Sequence, residues 1–328
     1  MKDEGLNALG RDAAYQLTNV IKTAPQFQSL TPKWLAKLLE FKGLESGVYR
    51  VNKVIEGETP LDVLCSLDPK KTEIPQGFVQ YETKPREYQL NAISTIINVD
   101  TKIEDVYRSP FDQVKEQLSL AVESLKERQE SQLINSDDYG LLKNCADSQC
   151  ISTRYGRPMP DDMDELLSKV WKTPSFFLAH PRAIAAFGRE CTKRGVPPAT
   201  VNIAGGTFIT WRGIPIIPSD KLMVDGLKNP KSKSGKTNIL LIRSGEAARG
   251  VIGLFQNGIA PSTAGAANAA GDFVSNAGAR GLSVRYRGVD DRGIASYLLS
   301  IYCSAAILAD DALAVLEDVE VGDYYDYA

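Results

Sequence analysis

Histidine is the usual general base and metal ligand near neutral pH, and this 328-residue chain has a single one, His180. A serine–histidine or cysteine–histidine catalytic pair would have to use it. No G-x-S-x-G elbow exists to present a serine to it. His180 is followed by Pro181 where an apolar run gives way to a helical pattern, so a structural histidine at a helix start is expected. The five cysteines, Cys65, Cys145, Cys150, Cys191 and Cys303, are odd in number and scattered. Cys145 and Cys150 lack the second ligand pair that a zinc site requires. Cys191 lies close to Lys193 and Arg194, whose charges can lower a thiol pKa, but a buried, inert cysteine is the commoner case.

Three further patterns imitate chemistry. Residues 232–237 (SKSGKT) end like a phosphate-binding loop, but Pro230 stands where the motif needs its first glycine and no strand leads in, which predicts a solvated basic loop. Asp161, Asp162, Asp164 and Glu165 cluster at the start of a predicted helix, where acids favour the helix dipole, and the calcium-loop spacing is absent. Gly250, Gly253 and Gly258 do not have the spacing of a dinucleotide fingerprint.

With no catalytic constellation, the elements themselves carry the reading. Hydrophobic residues make up 43% and charged residues 24%, a globular composition, and a formal net charge of -3 gives no basic excess for phosphate binding. No N-terminal apolar core of signal-peptide length and no apolar run of about 18 residues is present, so a cytoplasmic protein without membrane partners is expected.

Residues 12–22 have helical spacing, and a second short helix is predicted from Thr31 as cap and Pro32 at its first position. Such helices need another surface to bury against, expected to be a neighbour's. Residues 51–99 read as extended chain, with a polar hairpin near 77–88 and a β-branched strand over 92–99. Ser109 as cap, Pro110 behind it, and Val114, Leu118, Ala121 and Leu125 at helical steps predict an unusually long helix over 109–134. Then come a helix over 161–172, a buried strand over 175–179, a helix from His180-Pro181 to about 194, a hairpin over 207–217 and a strand over 238–242. Residues 260–281 read as an Ala/Gly-rich loop, 282–316 as strands and 322–328 as an acidic, tyrosine-rich tail.

The order of these parts resembles the tailed-phage major capsid proteins (the Hong Kong 97 type) and the encapsulins. The shared core is carried by PSFFLAHPR at 174–182 and GIPIIPSD at 213–220. LTNVIKTAPQF at 17–27, TPKWL at 31–35, GVYRVNK at 47–53 and GVDDRGIASYLLSIY at 288–302 are similar to the family 2 encapsulins. The resemblance implies an α+β tailed-phage major-capsid (Hong Kong 97-like) fold. Its parts would be an N-terminal arm (1–50), an E-loop and its base (51–99), a P-domain spine helix (100–136), an A-domain (137–281), and return strands to the P-domain with the tail (282–328). Residues 61–102 are too short for the cyclic-nucleotide-binding insert of some family 2 shells. The subfamily without it usually carries a cysteine desulfurase.

The resemblance further implies a shell protein, not an enzyme, of which about sixty copies close into an icosahedral nanocompartment. The shell would bind no cofactor, metal or nucleic acid. The cargo enzyme would bring pyridoxal phosphate and a role in sulfur metabolism or storage. The resemblance also places Arg194, Gly195, Val196, Pro197, Pro198, Ala199, Thr200, Val201 and Asn202 in a loop lining the five-fold pore. Two alternatives stand beside it: a phage-derived capsid packaging DNA on the same fold, and an enzyme whose site the residue inventory does not reveal.

Overall fold

Residues 176–179 and 239–242 contain no polar side chain, and every one of them is buried. Strands that read as continuous apolar runs are those covered on both faces. In the computed structural model, which describes residues 31–52, 83–100, 113–203, 205–225, 235–257, 281–291 and 293–322, these two runs pair antiparallel at the centre of a sheet. That seven-stranded sheet has the order β5 (Cys150–Ser152), β14 (Leu313–Val321), β10 (Gly235–Ile242), β6 (Phe176–Ala179), β9 (Ile214–Pro218), β8 (Gly206–Trp211), β7 (Ala199–Ile203).

Alternation decides what covers each face. Phe177, Ala179, Leu241 and Leu316 pack with Met163 and Leu166 of α3 (Pro160–Lys169) and Ala183, Ala186 and Phe187 of α4 (Pro181–Lys193). Phe176, Leu178, Leu240 and Ile242 point the other way, into a cluster with Leu35 of α1 (Trp34–Leu38), Leu39, and Leu133 and Ile134 of α2 (Gln113–Asn135).

A second, five-stranded sheet contains β1 (Glu40–Leu44), β11 (Val251–Gln256), β13 (Ile294–Ile307), β12 (Leu282–Val289) and β4 (Asn91–Asp100). Leu118, Val122 and Leu125, one turn apart on α2, pack on its Val284, Leu299 and Ile301. At ~1.5 Å per residue α2 is about 35 Å long, long enough to lie on both sheets. A two-stranded ribbon, β2 (Val48–Val51) with β3 (Arg86–Gln89), stands at the base of the expected E-loop.

Most predicted elements are present with small shifts of boundary: α3 ends at Lys169, not near 172, and β6 begins at Phe176. The predicted helix over 12–22, the hairpin tip, the start of the long helix at Ser109, the 260–280 part of the Ala/Gly-rich segment and the tail after Gly322 lie outside the described residues.

Two expectations are overturned. Thr31 does not cap the short helix, which begins at Trp34, with Lys33 at the cap position and no side-chain cap bond. The Thr31 backbone N–H and hydroxyl both donate to Glu127 of α2 (2.9 and 2.8 Å). The free N–H groups at the start of α1, those of Leu35 and Ala36, instead donate to the Glu130 carboxylate (3.0 and 3.0 Å), a long-range substitute for a cap. Nor does α1 wait for a neighbour, since Leu35 and Leu39 are buried in this chain's own core.

The strands also do not sort along the expected 137–281 and 282–328 segments. β11, from the first, joins the sheet of β13, and β14, from the second, joins the sheet of β10. Having entered the seven-stranded sheet by way of α2, the chain therefore leaves it at 243–250 and returns to it at 308–312. Arg243, almost wholly buried, ties the crossings together. Its guanidinium donates to both Asp311 carboxylate oxygens (2.6 and 3.3 Å), and its backbone N–H donates to Ala312 O (2.9 Å). A Cβ on Gly250 would sit 2.3 Å from Arg243 O, so only glycine lets the two strands of chain approach this closely. Lys172 adds a second cation to Asp311 (2.8 Å).

The hydrogen bonds from Arg243, with help from Lys172, hold the Asp311 carboxyl down to about 2 from an ordinary 3.8, against the burial that pushes it up. A depressed acid contributes stability that is complete above its unfolded pKa and is lost as pH falls through the folded value. The stability lent by this pair should therefore fade between about pH 4 and about pH 2. Asp311→Ala leaves Arg243 buried without its partner and is expected to cost about 3 kcal/mol. Thermal midpoints measured across that pH range should show a lower plateau and a shallower acid slope for the variant.

Candidate functional site

Residues 194–202 follow α4, whose N-terminus is set by His180: the ring Nδ1 accepts from the Arg182 backbone N–H (3.1 Å). This is the structural role expected of the lone histidine. Burial, with Arg182 nearby, pushes its pKa down. α4 stops at Gly195, whose φ of 70° suits the left-handed residue that ends helices. Gly195 N–H and Val196 N–H close back onto Thr192 O and Cys191 O (3.0 and 3.0 Å). Pro197 and Pro198 cannot continue a helix, and the chain leaves in extended form.

Where a loop was expected, residues 199–202 form most of strand β7. It pairs antiparallel with β8 from Ala199↔Thr210 to Ile203↔Gly206 and is the last strand in its sheet. A pairing partner one connection away in sequence takes up the backbone polar groups that a loop would leave to water. The Thr210 hydroxyl donates to Ala199 O (3.2 Å) and the Thr207 hydroxyl donates to Asn202 Oδ1 (2.7 Å). Ala199, Thr200, Val201 and Asn202 are all exposed, and Val196, 51% exposed, adds an apolar side chain beside them. No charged side chain occurs from Gly195 to Asn202. Arg194, the one charged residue in 194–202, is paired with Asp161 (2.8 Å).

The base of this hairpin is held by the acids that were read as dipole partners. Asp161 and Asp162 do lie in the first turn of α3, and Asp162 accepts from the Met159 backbone N–H (3.2 Å). Three neighbours do more. Asp161 holds Arg194, Glu165 holds Arg154 (2.6 Å), and Asp164 accepts from the Trp211 indole N–H (2.8 Å) and from Arg212 twice (3.1 and 2.9 Å). Hydrogen bonds from Arg212, then Trp211, keep the Asp164 carboxyl below its usual range. Trp211 is fixed from behind by Phe187 of α4, edge to face at 5.3 Å. Trp34 of α1 meets Phe208 of β8 in the same way at 5.1 Å. These anchors escape a reading of the sequence because their partners lie far along the chain. The signal that could have found them is three acids, 161, 164 and 165, one helical turn apart with arginines at 154, 194 and 212.

The other candidate residues stand apart. Gly235, Lys236 and Thr237 belong to strand β10 and not to a loop ahead of a helix, so they cannot cradle phosphate. Cys191 is buried, and burial pushes its thiol up to about 11 despite Arg194. Among the described residues no group of three or more His, Cys, Asp or Glu side chains is arranged to hold a metal, and no helix is long and apolar enough to cross a membrane.

Comparison with known proteins is consistent from end to end. A family model for the Type 2A encapsulin shell protein SrpI-like family matches residues 49–323. The Type 2A encapsulin shell protein SrpI of Synechococcus elongatus is 51% identical over 320 residues, covering 98% of this chain and 96% of that protein. A Type 2A encapsulin shell protein of Mycolicibacterium paratuberculosis is 48% identical over 320 residues, covering 98% of this chain and 97% of that one. Among solved structures, the holo-SrpI encapsulin complex from Synechococcus elongatus matches with a TM-score of 0.77 at 49% identity, over 98% of this chain and 99% of that one. A Microbacterium phage structure matches with a TM-score of 0.56 at 11% identity, over 94% of this chain and 98% of that one, a likeness of fold alone.

The anchor at the hairpin base is testable. Asp164→Ala strands the indole N–H of buried Trp211 and should lower stability by about 1–3 kcal/mol, with a shift in tryptophan emission. Arg194→Ala removes a largely exposed pair and should leave stability close to that of the parent. Thermal denaturation of both variants reads the difference.

Proposed function

This chain belongs to the Type 2A encapsulin shell proteins, and we propose that it acts by closing with copies of itself into an icosahedral cytoplasmic compartment around a cargo enzyme. The cargo is a cysteine desulfurase, whose pyridoxal phosphate carries the chemistry, and the compartment serves sulfur metabolism or storage. The observation that carries this reading is the likeness, over 98% of the chain, to a subunit of an encapsulin complex. The surface supports it. β7 ends one sheet with exposed Val201, and β4 pairs only with β13 among the described strands and exposes Ile96. An unpaired apolar edge is a hazard in a free monomer and a contact in an assembly. Closed contacts between identical copies make a finite shell.

The cargo assignment rests on the short E-loop segment, which leaves no room for a nucleotide-binding insert. The hairpin at 194–202 then sits at the five-fold axis, where its uncharged exposed face gives a pore with little preference for charge.

Two measurements test this. Particles purified from cells that also make a cysteine desulfurase should hold that enzyme, resistant to protease until the particle is opened, and no nucleic acid after nuclease treatment. Nuclease-resistant DNA inside would overturn the reading in favour of a DNA-packaging capsid. Thr200→Lys should place a ring of positive charge in the pore and change the entry rate of small anions. Unchanged anion flux through intact particles would remove the hairpin from the pore.

A further inference from the structure

The shell reading gives no work to the pair Cys145 and Cys150, and the fold brings them together. Cys145 follows the turn that closes α2, and its Sγ donates to Leu313 O at 3.7 Å. Cys150 opens β5, which runs parallel to β14 with Cys150 opposite Val315. Leu313 and Val315 are two residues apart and so face the same side of β14. The two cysteines therefore sit over one stretch of that strand, packed against the same core. A turn of 3-10 helix, Asp147–Gln149, folds the chain between them.

Both are free thiols, and neither is fully buried. Each side chain is near enough to influence the ionisation of the other. On its other side Cys145 lines a cavity of 310 Å³, walled also by Arg86, Tyr88, Tyr139, Asn144 and Asp310, so its side chain has space to turn.

We propose that Cys145 and Cys150 form a redox site that a hydroperoxide-class oxidant converts to an intramolecular disulfide. Cys150 is the attacking sulfur: burial pushes both thiols up, but at Cys150 the neighbouring Cys145 side chain partly offsets that rise, whereas at Cys145 the neighbouring Cys150 adds to it. The Cys150 thiolate attacks the peroxide O–O bond. An S–O bond forms, the O–O bond breaks, and hydroxide leaves. Cys145 sulfur then attacks that sulfenic acid. The S–S bond forms, the S–O bond breaks, and the sulfenic oxygen leaves as water with the Cys145 proton, while the proton released when Cys150 ionised neutralises the hydroxide of the first step. Two thiols give up two electrons in all, and hydrogen peroxide becomes two waters. Asp147 and Glu317 face the pair and oppose the thiolate, which makes a neutral oxidant such as hydrogen peroxide a better reagent than an anionic disulfide.

The test treats the purified full-length protein, as assembled, with hydrogen peroxide, alkylates the remaining thiols and maps the peptides by mass spectrometry. The expected result is a Cys145–Cys150 linkage that dithiothreitol reverses, with Cys191 and Cys303 still alkylated. Cys145→Ser should convert Cys150 into a dimedone-trapped sulfenic acid, and Cys150→Ser should leave Cys145 as a free thiol. Both variants are checked for parental melting temperature first. Full alkylation of both cysteines after peroxide, or linkage of either one to Cys65, Cys191 or Cys303, would overturn the assignment.

Discussion

One ion pair, between buried Arg243 and partly exposed Asp311, holds the two halves of this fold in a fixed relation. Arg243 closes the last strand of one sheet before the chain leaves for the other, and Asp311 lies at the point where the chain returns. A guanidinium buried this deeply is tolerable only with its partner in place, so the pair specifies where both crossings must meet. Because each sheet borrows a strand from the other half of the sequence, neither can be completed without this junction. A shell subunit needs that rigidity. The angle between neighbours in a closed assembly is set by the shape of one subunit, and small errors repeat at every contact.

Charge elsewhere is spent on the same task. Glu123, Glu127 and Glu130 form a stripe on one face of α2 that collects Lys33, Lys221 and the backbone N–H groups of Thr31, Leu35 and Ala36. Glu130 is 1% exposed, and burial raises its pKa even though two N–H groups favour the charged form. α2 therefore does two jobs, with apolar residues against both sheets and carboxylates against the segment that leads into α1. The acids of α3 do likewise for Arg154, Arg194 and Arg212. Residue types that would do chemistry in an enzyme hold one segment of this chain to another.

How much of this was legible depended on the range of the forces involved. The strands at 176–179 and 239–242, the long helix and the hairpin at 206–218 show in the sequence because burial and turn geometry act locally. Arg212 and Gly213, with φ of 49° and 86°, mark the hairpin turn directly. Strand exchange between the sheets did not show, since nothing in residues 251–256 or 313–321 tells which apolar strand they will meet. Nor did the cap of α1, whose carboxylate lies 95 residues away from Leu35. The candidate pore segment was found by resemblance. Its local form did not show because Ala199 to Asn202 are too polar and too exposed to look like a strand, and they pair all the same to satisfy their backbone.

The central claim is that this chain alone contains what a closed shell needs. Electron microscopy of the purified full-length protein, expressed without any cargo, tests it most directly. Uniform closed particles are expected, with residues 194–202 gathered at the five-fold vertices. A population of small discrete oligomers would contradict it.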